Sequence, residues 1–533
     1  MQYNHIPFPK TGYFSSLICD YLDEKPQLKL FYNRFPALEN FEGQIEDKKN
    51  WFSAESRTAL VSVLRQQYKN LDASEKSLQN IERLKSKNTF TVTTGHQLNL
   101  FTGPLYFLYK IVSAINLSKE LKKAYPDLNF VPVYWMATED HDFEEINYFT
   151  FKGKKLNWNK KAKGAVGELS TNGLKAVLDL FSQELGQGKN ADILKQLFEN
   201  TYLKHDNLTD ATRYLANELF KDFGLVIIDA NDVELKKQFI PYMQEELVKQ
   251  KAFKFVSQTN EQINKLPDNY KIQVNPREIN LFYLKENLRE RIVYENEVYK
   301  VLNTTISWSK SEMLKEVSDF PKRFSPNVIM RPLYQEVILP NLCYIGGGGE
   351  LAYWFQLKQF FEEVKVPFPI LLLRNSVLLQ SNNQLKKLQK LNISAEEVFL
   401  KRDNFINKKV REISNVDIDF SPQKEHLKQQ FEDLYKLAEQ TDKSFLGAVK
   451  AQEVKQLKGL DNLEKRLLKA QKRKLSDEVL RMTELQNELF PNQGLQERNT
   501  NFSEFYLEYG ESLIPHLIEN LKPLKGEFLV LNL

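Results

Sequence analysis

Five short apolar runs, rich in β-branched and aromatic residues, alternate with helical stretches through most of this 533-residue chain. These candidate strands comprise residues 89–93, 130–136, 225–229, 342–345 and 368–373. Apolar residues also recur at helical spacing over residues 105–124, which places a helix between the first two strands. A strand, a crossover helix and a second parallel strand form the βαβ unit of parallel sheets. The alternation therefore predicts an α/β fold with a largely parallel sheet.

The C-terminal part of the chain has a different pattern. From residue 379 it becomes polar and helical, and apolar residues recur every three or four positions over 427–438 and again over 460–489. Two long helices that fold back on each other as an antiparallel coiled coil fit this pattern. Aromatic residues then return, so we expect the tail to pack on the body. The predicted divisions are a core domain at 1–378 with insertions near 151–222 and 271–301, a helical coiled-coil domain at 379–492, and the tail at 493–533.

The composition disfavours several classes of protein. Lys and Arg number 74 and Asp and Glu 70, so the net charge of +4 gives no indication of a nucleic-acid or acidic-membrane partner. Two cysteines, Cys19 and Cys343, cannot form a disulfide framework or a thiolate-rich metal site. The N-terminus lacks a secretory signal, and no apolar run approaches the roughly 20 residues that cross a bilayer. We therefore expect a cytoplasmic protein with no membrane partner.

The first candidate motif is TGHQLNLFTGP at residues 94–104. It follows a predicted strand and precedes a helix, where backbone N–H groups and the positive helix end favour a phosphate or carboxylate. We predict that His96 is catalytic, as a donor to a phosphate or a developing negative charge, and that Gly95 and Gln97 bind a cofactor. The alternative is that Gly95 and Gly103 only shape turns while His96 caps the helix.

The second motif is EDHDFEE at residues 139–145, directly after another predicted strand. If the two strands are parallel neighbours, His141 and His96 lie at the sheet edge where doubly wound proteins bind ligands. Carboxylates beside an imidazole, such as Asp140, can fix its tautomer, raise its pKa or hold a divalent metal. The spacing matches no dedicated metal motif, so we assign no metal site. We predict that His141 and Asp140 are catalytic and share one pocket with His96; the alternative is a solvated acidic loop.

The third motif is a run of four glycines in a chain that has only 20 glycines. The run stands between a predicted strand and an amphipathic helix, which indicates close approach of the backbone to a ligand. No Gly-Lys-Ser/Thr follows, so the run is not a Walker A loop. Glu350, which follows it, could cap the helix or bind a substrate amine, and Cys343 before it is expected to be a small core residue. We assign the run to cofactor binding: Gly346, Gly347, Gly348 and Gly349.

Three further polar residues complete the candidate site. Arg331 lies beside an apolar run and could bind a carboxylate or phosphate with both arms of its guanidinium. Arg374, at the end of the last predicted strand, has the same potential, and Asn327 lies just upstream of Arg331. We predict that these three residues and Glu350 bind substrate. The alternative for Arg331 is a buried structural ion pair with Glu336 or Glu350.

The helical arm carries a basic run at residues 465–474. Such a run could hold RNA, but the exteriors of coiled coils are normally charged and acidic residues interrupt this one. We expect a solvated helix face there.

Together these blocks resemble the cysteine-adding enzymes of bacillithiol biosynthesis, also described as cysteine ligases. The resemblance rests on TGHQLNLFTGPLYFLYKIVSAI, VPVYWMATEDHDFEEIN, RFSPNVIMRPLYQEVILPNLCYIGGGGELAYW and a late LQER, which occur in the order and spacing of that family. It covers nearly the whole chain. It implies a Rossmann-like core, related to class I aminoacyl-tRNA synthetases and nucleotidylyltransferases, and a coiled-coil domain that supports a homodimer.

The reaction implied by the resemblance adds L-cysteine to the amine of glucosaminyl-malate and forms an amide. A free carboxylate must be activated for this reaction, so we expect ATP or another nucleotide, and Mg²⁺ could accompany it. In this interpretation His96 and the glycine run steady phosphates, and the acidic cluster binds the cysteine ammonium or a metal. His141 or a neighbouring carboxylate takes the amine proton, while Arg331 holds the malate carboxylates. The His-x-Gly-His signature of the synthetase superfamily is absent.

Two other classes of function stay open from the sequence. One is a nucleotidylyltransferase or an RNA-binding relative of the class I synthetases, which the near-neutral charge disfavours. The other is a non-catalytic nucleotide-binding scaffold that recruits partners through its coiled coil.

Overall fold

The computed structural model describes residues 3–533, which form two compact units. One unit contains the chain up to Leu379 and the tail Leu495–Leu533, and the other comprises Gln380–Gly494. The tail therefore returns to the unit in which the chain began.

The secondary structure of the described chain is as follows. The strands are β1 (Tyr3–Ile6), β2 (Thr89–His96), β3 (Asn129–Met136), β4 (Tyr148–Phe151), β5 (Lys154–Asn157), β6 (Val226–Asp229), β7 (Leu281–Lys285), β8 (Leu288–Glu295), β9 (Val298–Val301), β10 (Ser307–Trp308), β11 (Phe324–Pro326), β12 (Asn341–Gly346), β13 (Ile370–Leu373), β14 (Val377–Gln380) and β15 (Phe528–Asn532). The α-helices before Gln380 are α1 (Phe8–Thr11), α2 (Ser16–Leu22), α3 (Phe41–Trp51), α4 (Ala54–Tyr68), α5 (Glu75–Arg83), α6 (Tyr106–Ala124), α7 (Phe143–Ile146), α8 (Leu174–Leu185), α9 (Lys189–Tyr202), α10 (Leu208–Phe220), α11 (Val233–Lys249), α12 (Lys251–Asn264), α13 (Lys310–Asp319), α14 (Met330–Ile338), α15 (Gly348–Phe355) and α16 (Lys358–Glu363). Those that follow are α17 (Asn382–Lys390), α18 (Arg402–Ile413), α19 (Ser421–Ala438), α20 (Lys443–Lys474), α21 (Ser476–Leu489), α22 (Gln496–Asn499), α23 (Phe502–Tyr509) and α24 (Leu513–Asn520).

The first unit is built on a five-stranded parallel sheet with the order β13–β12–β2–β3–β6. All five predicted strands are present, and the α/β fold with a parallel sheet is confirmed. Every residue of β2, β12 and β13 is buried, as expected for strands that are covered on both faces. In chain order the sheet runs 3-2-1-4-5, the doubly wound arrangement, so its topological switch point lies between β2 and β12.

Strand β2 is longer than the sequence pattern indicates. It continues to His96, because it is paired on both sides: Gly95 and His96 lie opposite Trp135 and Met136 of β3, and Thr94 lies opposite Ile345 of β12. Gly95 and His96 therefore belong to the end of a central strand and not to the following loop, which corrects the prediction.

The hydrophobic core lies between the sheet and its helices. Helix α6 covers the sheet with an almost fully apolar face, as the 105–124 pattern predicts. Cys343 is fully buried in a cluster with Val92, Leu117 and Ile345, which confirms it as a small core residue.

Two regions interrupt the βαβ pattern. The first contains the antiparallel hairpin β4–β5 and helices α8, α9 and α10. The second is an antiparallel sheet with the order β10–β9–β8–β7–β11, which extends beyond the predicted patch to Pro326.

The C-terminal tail closes a three-stranded sheet in the first unit. Strand β15 pairs antiparallel with β1 and neighbours β14, and its residues are buried.

The Gln380–Gly494 unit is helical. Helices α19 and α20 form an antiparallel hairpin, since Tyr435 contacts Glu453 at one end and Lys424 contacts Glu464 at the other. The hairpin confirms the predicted coiled coil. The second apolar stripe is not one helix, however, because the chain bends at Leu475 between α20 and α21. Among the helices of residues 3–533, none combines the length and apolar character that a bilayer span requires.

Candidate active site

A partly buried carboxylate, Glu350, lies at the switch point between β2 and β12. It lies in the first turn of α15 and accepts three hydrogen bonds, from the Tyr344 hydroxyl at 2.7 Å, the Gly347 amide at 2.8 Å and Lys110 Nζ at 2.6 Å. Burial alone would raise the pKa of Glu350, but Lys110, the Gly347 amide and Tyr344 lower it below its usual value. Glu350 is therefore ionised at neutral pH. Its bond to the Gly347 amide is the helix-capping role that the sequence left open.

Lys110 links Glu350 to the end of β2. It extends from the buried face of α6, and its ammonium also donates to the Gly95 carbonyl at 2.7 Å. Only 3% of the residue is exposed, and burial lowers its pKa while Glu350 opposes that shift. Lys110 is not among the site residues predicted from the sequence. The sequence feature that could have indicated Lys110 is a lysine on an otherwise apolar helix face. Such a lysine is expected to be buried, and a buried lysine requires a charged or polar partner.

Arg331 lies on the other side of Gly95. Its Nη2 donates to the Tyr353 hydroxyl at 2.6 Å, and its Nη1 is 3.8 Å from the position that a Cβ on Gly95 would take. The alternative pair with Glu336 is wrong, because Glu336 is fully buried against Lys48, 3.0 Å away. Glu350 acts on Arg331 only as a nearby charge that helps to raise its pKa.

Asn327 has a structural role in this arrangement. Its side-chain oxygen accepts hydrogen bonds from the Ile329 and Met330 amides at the start of α14, and its amide donates to Asn280. These bonds hold the turn that carries Arg331.

Arg374 follows β13 and is held by a residue of the tail. Its two Nη atoms bind the two carboxylate oxygens of Glu497 at 3.0 and 2.8 Å, and both side chains are buried. Burial would lower the pKa of Arg374, but Glu497 raises it. Arg374 Nε has no hydrogen-bond partner, although it is buried. The predicted arginine is thus present at the strand end, and its Nε–H group has no partner.

His96 is buried, with only 7% of the residue exposed. Its ring packs against Tyr106 and Phe107 of α6. Burial, followed by the charge of Lys110, lowers the pKa of His96 to about 3. A hydrogen bond to the Thr102 backbone opposes that shift, and Nε2 has no partner, so this bond falls to Nδ1 and leaves a lone pair on Nε2. His96 is thus buried and neutral, which favours a role as a hydrogen-bond acceptor over the predicted donation to a phosphate.

The glycines next to these groups leave space that a side chain would fill. A Cβ on Gly347 would lie 3.5 Å from Glu350 Oε2 and 3.8 Å from Arg374 Nε. A Cβ on Gly346 would come within 3.0 Å of its neighbours, and one on Gly348 would lie 3.2 Å from Ile18, whereas one on Gly349 would meet nothing closer than 4.0 Å. Gly95 and Gly347 therefore face the charged cluster with bare backbone.

A second polar cluster lies beyond β3. Gln97 Nε2 donates to Asp140 at 2.9 Å and to Glu145 at 3.0 Å, which joins the end of β2 to the acidic loop.

His141 Nδ1 accepts from Arg289 Nη1 at 2.5 Å, and Arg289 in turn stacks on Phe282. Oxygen and nitrogen atoms of Asp140, His141 and Asp142 lie within 4.8 Å of one another, but the guanidinium of Arg289 opposes a cation there. Arg289 comes from the antiparallel sheet and carried no sequence signal.

The structure therefore divides the predicted site residues between two clusters. Around the switch point it collects Gly95, His96, Gly347, Glu350, Arg331 and Arg374. Gln97, Asp140 and His141 form the second cluster, and the two predicted histidines have different surroundings. Their shared pocket stays a prediction. At the switch point Lys110, Arg331 and Arg374 face two carboxylates, so the cluster has an excess of positive charge that suits an anionic ligand.

Fold and site together define an α/β protein with a charged cluster at the switch point of a Rossmann-like sheet, followed by a helical coiled-coil unit. Two family models match it: "Bacillithiol biosynthesis BshC, N-terminal Rossmann-like domain" over residues 1–375 and "Bacillithiol biosynthesis BshC, C-terminal coiled-coil domain" over 377–533. The chain belongs to the BshC family of bacillithiol biosynthesis.

Curated relatives match the chain over its full length. The chain is 62% identical over 528 residues to "Putative cysteine ligase BshC" of Flavobacterium johnsoniae, with 99% of both chains covered. It is 61% identical over 535 residues to the protein of the same name from Christiangramia forsetii, covering 100% of this chain and 99% of the relative. A relative from Bacillus thuringiensis with that name is 27% identical over 552 residues, with both chains fully covered. Members of the family are thus named as ligases.

Proposed function

We propose that this protein is a cysteine ligase that joins L-cysteine to the amine of glucosaminyl-malate through an amide bond. The observation that carries the proposal is the full-length similarity to relatives named as cysteine ligases, at 62% identity. The switch-point cluster supports it, because an excess of buried positive charge suits the carboxylates and phosphates that such a reaction must bind.

A nucleotide fits the switch-point cluster on two observations. Gly95 and Gly347 leave bare backbone beside it, and Arg374 Nε and His96 Nε2 are buried polar atoms without partners. A buried polar atom without a hydrogen-bond partner costs about 1–3 kcal/mol of free energy, and a ligand that bonds to the atom removes this cost. Arg374 would hold a phosphate next to Gly347, and Arg331 an anionic group next to Gly95. ATP, when bound, supplies the activation that a free carboxylate needs for amide formation.

The chain's own groups orient the substrates and accept a proton. Arg331 binds an anionic group of the substrate with the N–H groups that Tyr353 leaves free. Neutral His96 accepts a hydrogen bond from the substrate at Nε2. The attacking amine loses its proton to His141 or to a neighbouring carboxylate, Asp140 or Asp142, which lie 3.7 and 3.8 Å from the His141 ring nitrogens. His141 can accept the proton only when its Nδ1 releases Arg289.

We also propose that the protein forms a homodimer through its helical unit. Large apolar side chains are exposed on α19 and α20, among them Leu437 at 51% and Leu463 at 52%. A groove between the two helices is lined by Leu427, Leu460 and Leu463. Coiled-coil helices use such stripes to pair with further helices, so a second copy of the hairpin suits this surface.

A gene deletion tests the proposed reaction in the organism that encodes the chain. Mass spectrometry of thiols should find no bacillithiol and an accumulation of glucosaminyl-malate, both reversed by the wild-type gene but not by the Arg331→Met variant. Normal bacillithiol in cells without any second copy would refute the ligase. Loss of RNA processing with normal thiols would instead favour an RNA-binding relative of the synthetases.

A further inference from the structure

A short segment of the tail, residues 497–501, contacts Arg374 directly and the turn at residues 101–103 next to His96. The segment follows the helical unit in the chain and re-enters the first unit through α22. The role that we assign to this segment in the reaction rests on the proposed function.

Glu497 determines the orientation of Arg374. Glu497 is fully buried; its Oε1 accepts from Arg374 Nη2, and its Oε2 accepts from Arg374 Nη1 and from the Val377 amide at 3.1 Å. Two parallel bonds fix the plane of a guanidinium, which a single bond does not. Arg374 Nη1 is used further by the Asn375 carbonyl and the Ser376 hydroxyl. Nε is the guanidinium nitrogen without any partner, and the plane set by Glu497 brings it next to Gly347.

Asn501 holds the turn that carries the partner of His96. Its amide donates to the carbonyls of Phe101 and Gly103, at 2.8 and 2.5 Å. This turn is strained, since Phe101 and Thr102 have φ angles of 48° and 70°, in the left-handed region. Such a turn persists only where its surroundings hold it, and Thr102 supplies the backbone group to which His96 bonds. Asn501 therefore acts on His96 through this turn.

We propose that Glu497 and Asn501 are positioning residues of the active site: Glu497 aims Arg374 Nε at a phosphate beside Gly347, and Asn501 fixes the His96 ring. Neither residue touches the space beside Gly347, so their effect on binding passes through Arg374 and His96. In the sequence, Glu497 is marked only as part of the late LQER block that carries the family resemblance.

The Glu497→Gln variant tests the proposal against a matched control. Glutamine keeps the shape of the side chain but replaces one acceptor oxygen with a donor, so one of the two bonds to Arg374 is lost. The control is Glu336→Gln, which removes the charge from a different buried ion pair of the same unit, with Lys48. Both variants should lose stability, but only Glu497→Gln should weaken nucleotide binding.

Calorimetric titration of MgATP into the full-length variants measures this effect without turnover. We expect the Kd to rise at least tenfold for Glu497→Gln and to change less than twofold for Glu336→Gln. In a protein that already carries Arg374→Lys, Glu497→Gln should raise the Kd by less than a further twofold, because the effects of two substitutions on coupled residues are not additive. If Glu497→Gln does not fold, Glu497→Asp, which keeps the charge but retracts it by one methylene, should give a smaller rise in the same direction.

The outcomes separate this proposal from the ligase proposal. Equal Kd values for wild type and Glu497→Gln, or equal effects of Glu497→Gln and Glu336→Gln, would overturn the positioning role even if the wild type makes the amide. A wild type that binds MgATP but makes no amide would refute the ligase and leave the positioning role to be judged by the Kd values. A wild type that does not bind MgATP would overturn the positioning role.

Discussion

At the scale of single residues, His96 couples the site to pH. Its pKa is about 3 in the folded protein, against 6.5 for an ordinary histidine. Between these values the unfolded chain binds a proton that the folded protein does not, so the free energy of unfolding falls as the pH falls from 6.5 towards 3. The loss amounts to about 1.4 kcal/mol for each pH unit well inside that window.

The His96→Phe variant should reduce this acid sensitivity. Phenylalanine fills similar space against Tyr106 and Phe107 but does not titrate. Between pH 7 and pH 5, urea unfolding should show the wild type losing about 2 kcal/mol more than the variant. The same loss in both proteins would show that His96 is not held neutral by the fold.

The space beside Gly347 can be probed with one methyl group. Neither Gly347 nor Gly349 has a positive φ, so alanine fits the backbone at both positions. At Gly347 the methyl would lie 3.5 Å from Glu350 Oε2 and 3.8 Å from Arg374 Nε, whereas at Gly349 its nearest neighbour would be Gln273 Nε2 at 4.0 Å. We expect Gly347→Ala to stay within about 1 kcal/mol of wild-type stability and to raise the KM for ATP at least tenfold. Kinetics of Gly349→Ala provide the control, and an equal KM in the two variants would place the nucleotide elsewhere.

At the scale of elements, the α19–α20 hairpin leaves an apolar stripe exposed. Leu463→Glu puts a charge in that stripe, and light scattering should report monomers at micromolar concentrations at which we expect wild-type dimers. Leu180→Glu alters a leucine of similar exposure, 50%, on α8 in the other unit and should leave the dimer intact. A monomeric wild type, or dimers that persist in Leu463→Glu, would contradict assembly through the hairpin.

The elements themselves were predictable because their patterns are local. Five apolar runs gave five strands, and the spacing of apolar residues gave α6 and the helical hairpin. The length of β2 was not predictable, since hydrogen bonds from β3 and β12 extend it through Gly95 and His96. The break at Leu475 was also missed, because the apolar spacing continues across it.

The candidate site was predictable only in its location. Strand ends in a parallel sheet converge, so motifs that follow strands were expected together. The partners that set each side chain's state lie far away in the chain: Glu497 is 123 residues from Arg374. Tertiary packing also decides three further features that a single sequence does not record. They are the burial of His96, the ion pair of Glu350 with Lys110 and the hydrogen bond from Arg289 to His141.

At the scale of the whole molecule, a nucleotide that binds the folded state alone should stabilise it. MgATP at a hundred times its Kd should raise the free energy of unfolding by about 2.7 kcal/mol, measured as a rise in the thermal midpoint. Arg331→Met should reduce that rise while the Lys48–Glu336 pair and the core stay in place. An unchanged midpoint for the wild type would contradict nucleotide binding at the switch point.

The most direct test of the ligase follows the oxygen atoms of cysteine. Purified protein is incubated with MgATP, glucosaminyl-malate and cysteine labelled with ¹⁸O at both carboxylate positions, and products are analysed by mass spectrometry. Attack of the amine on the activated carboxyl carbon breaks one C–O bond, so one label should stay in the amide carbonyl of the thiol product and the other should appear in AMP or inorganic phosphate. The Arg331→Met variant should form the product at least a hundredfold more slowly. Folded wild-type protein that yields no amide, or label that never reaches a phosphorus compound, would contradict the account.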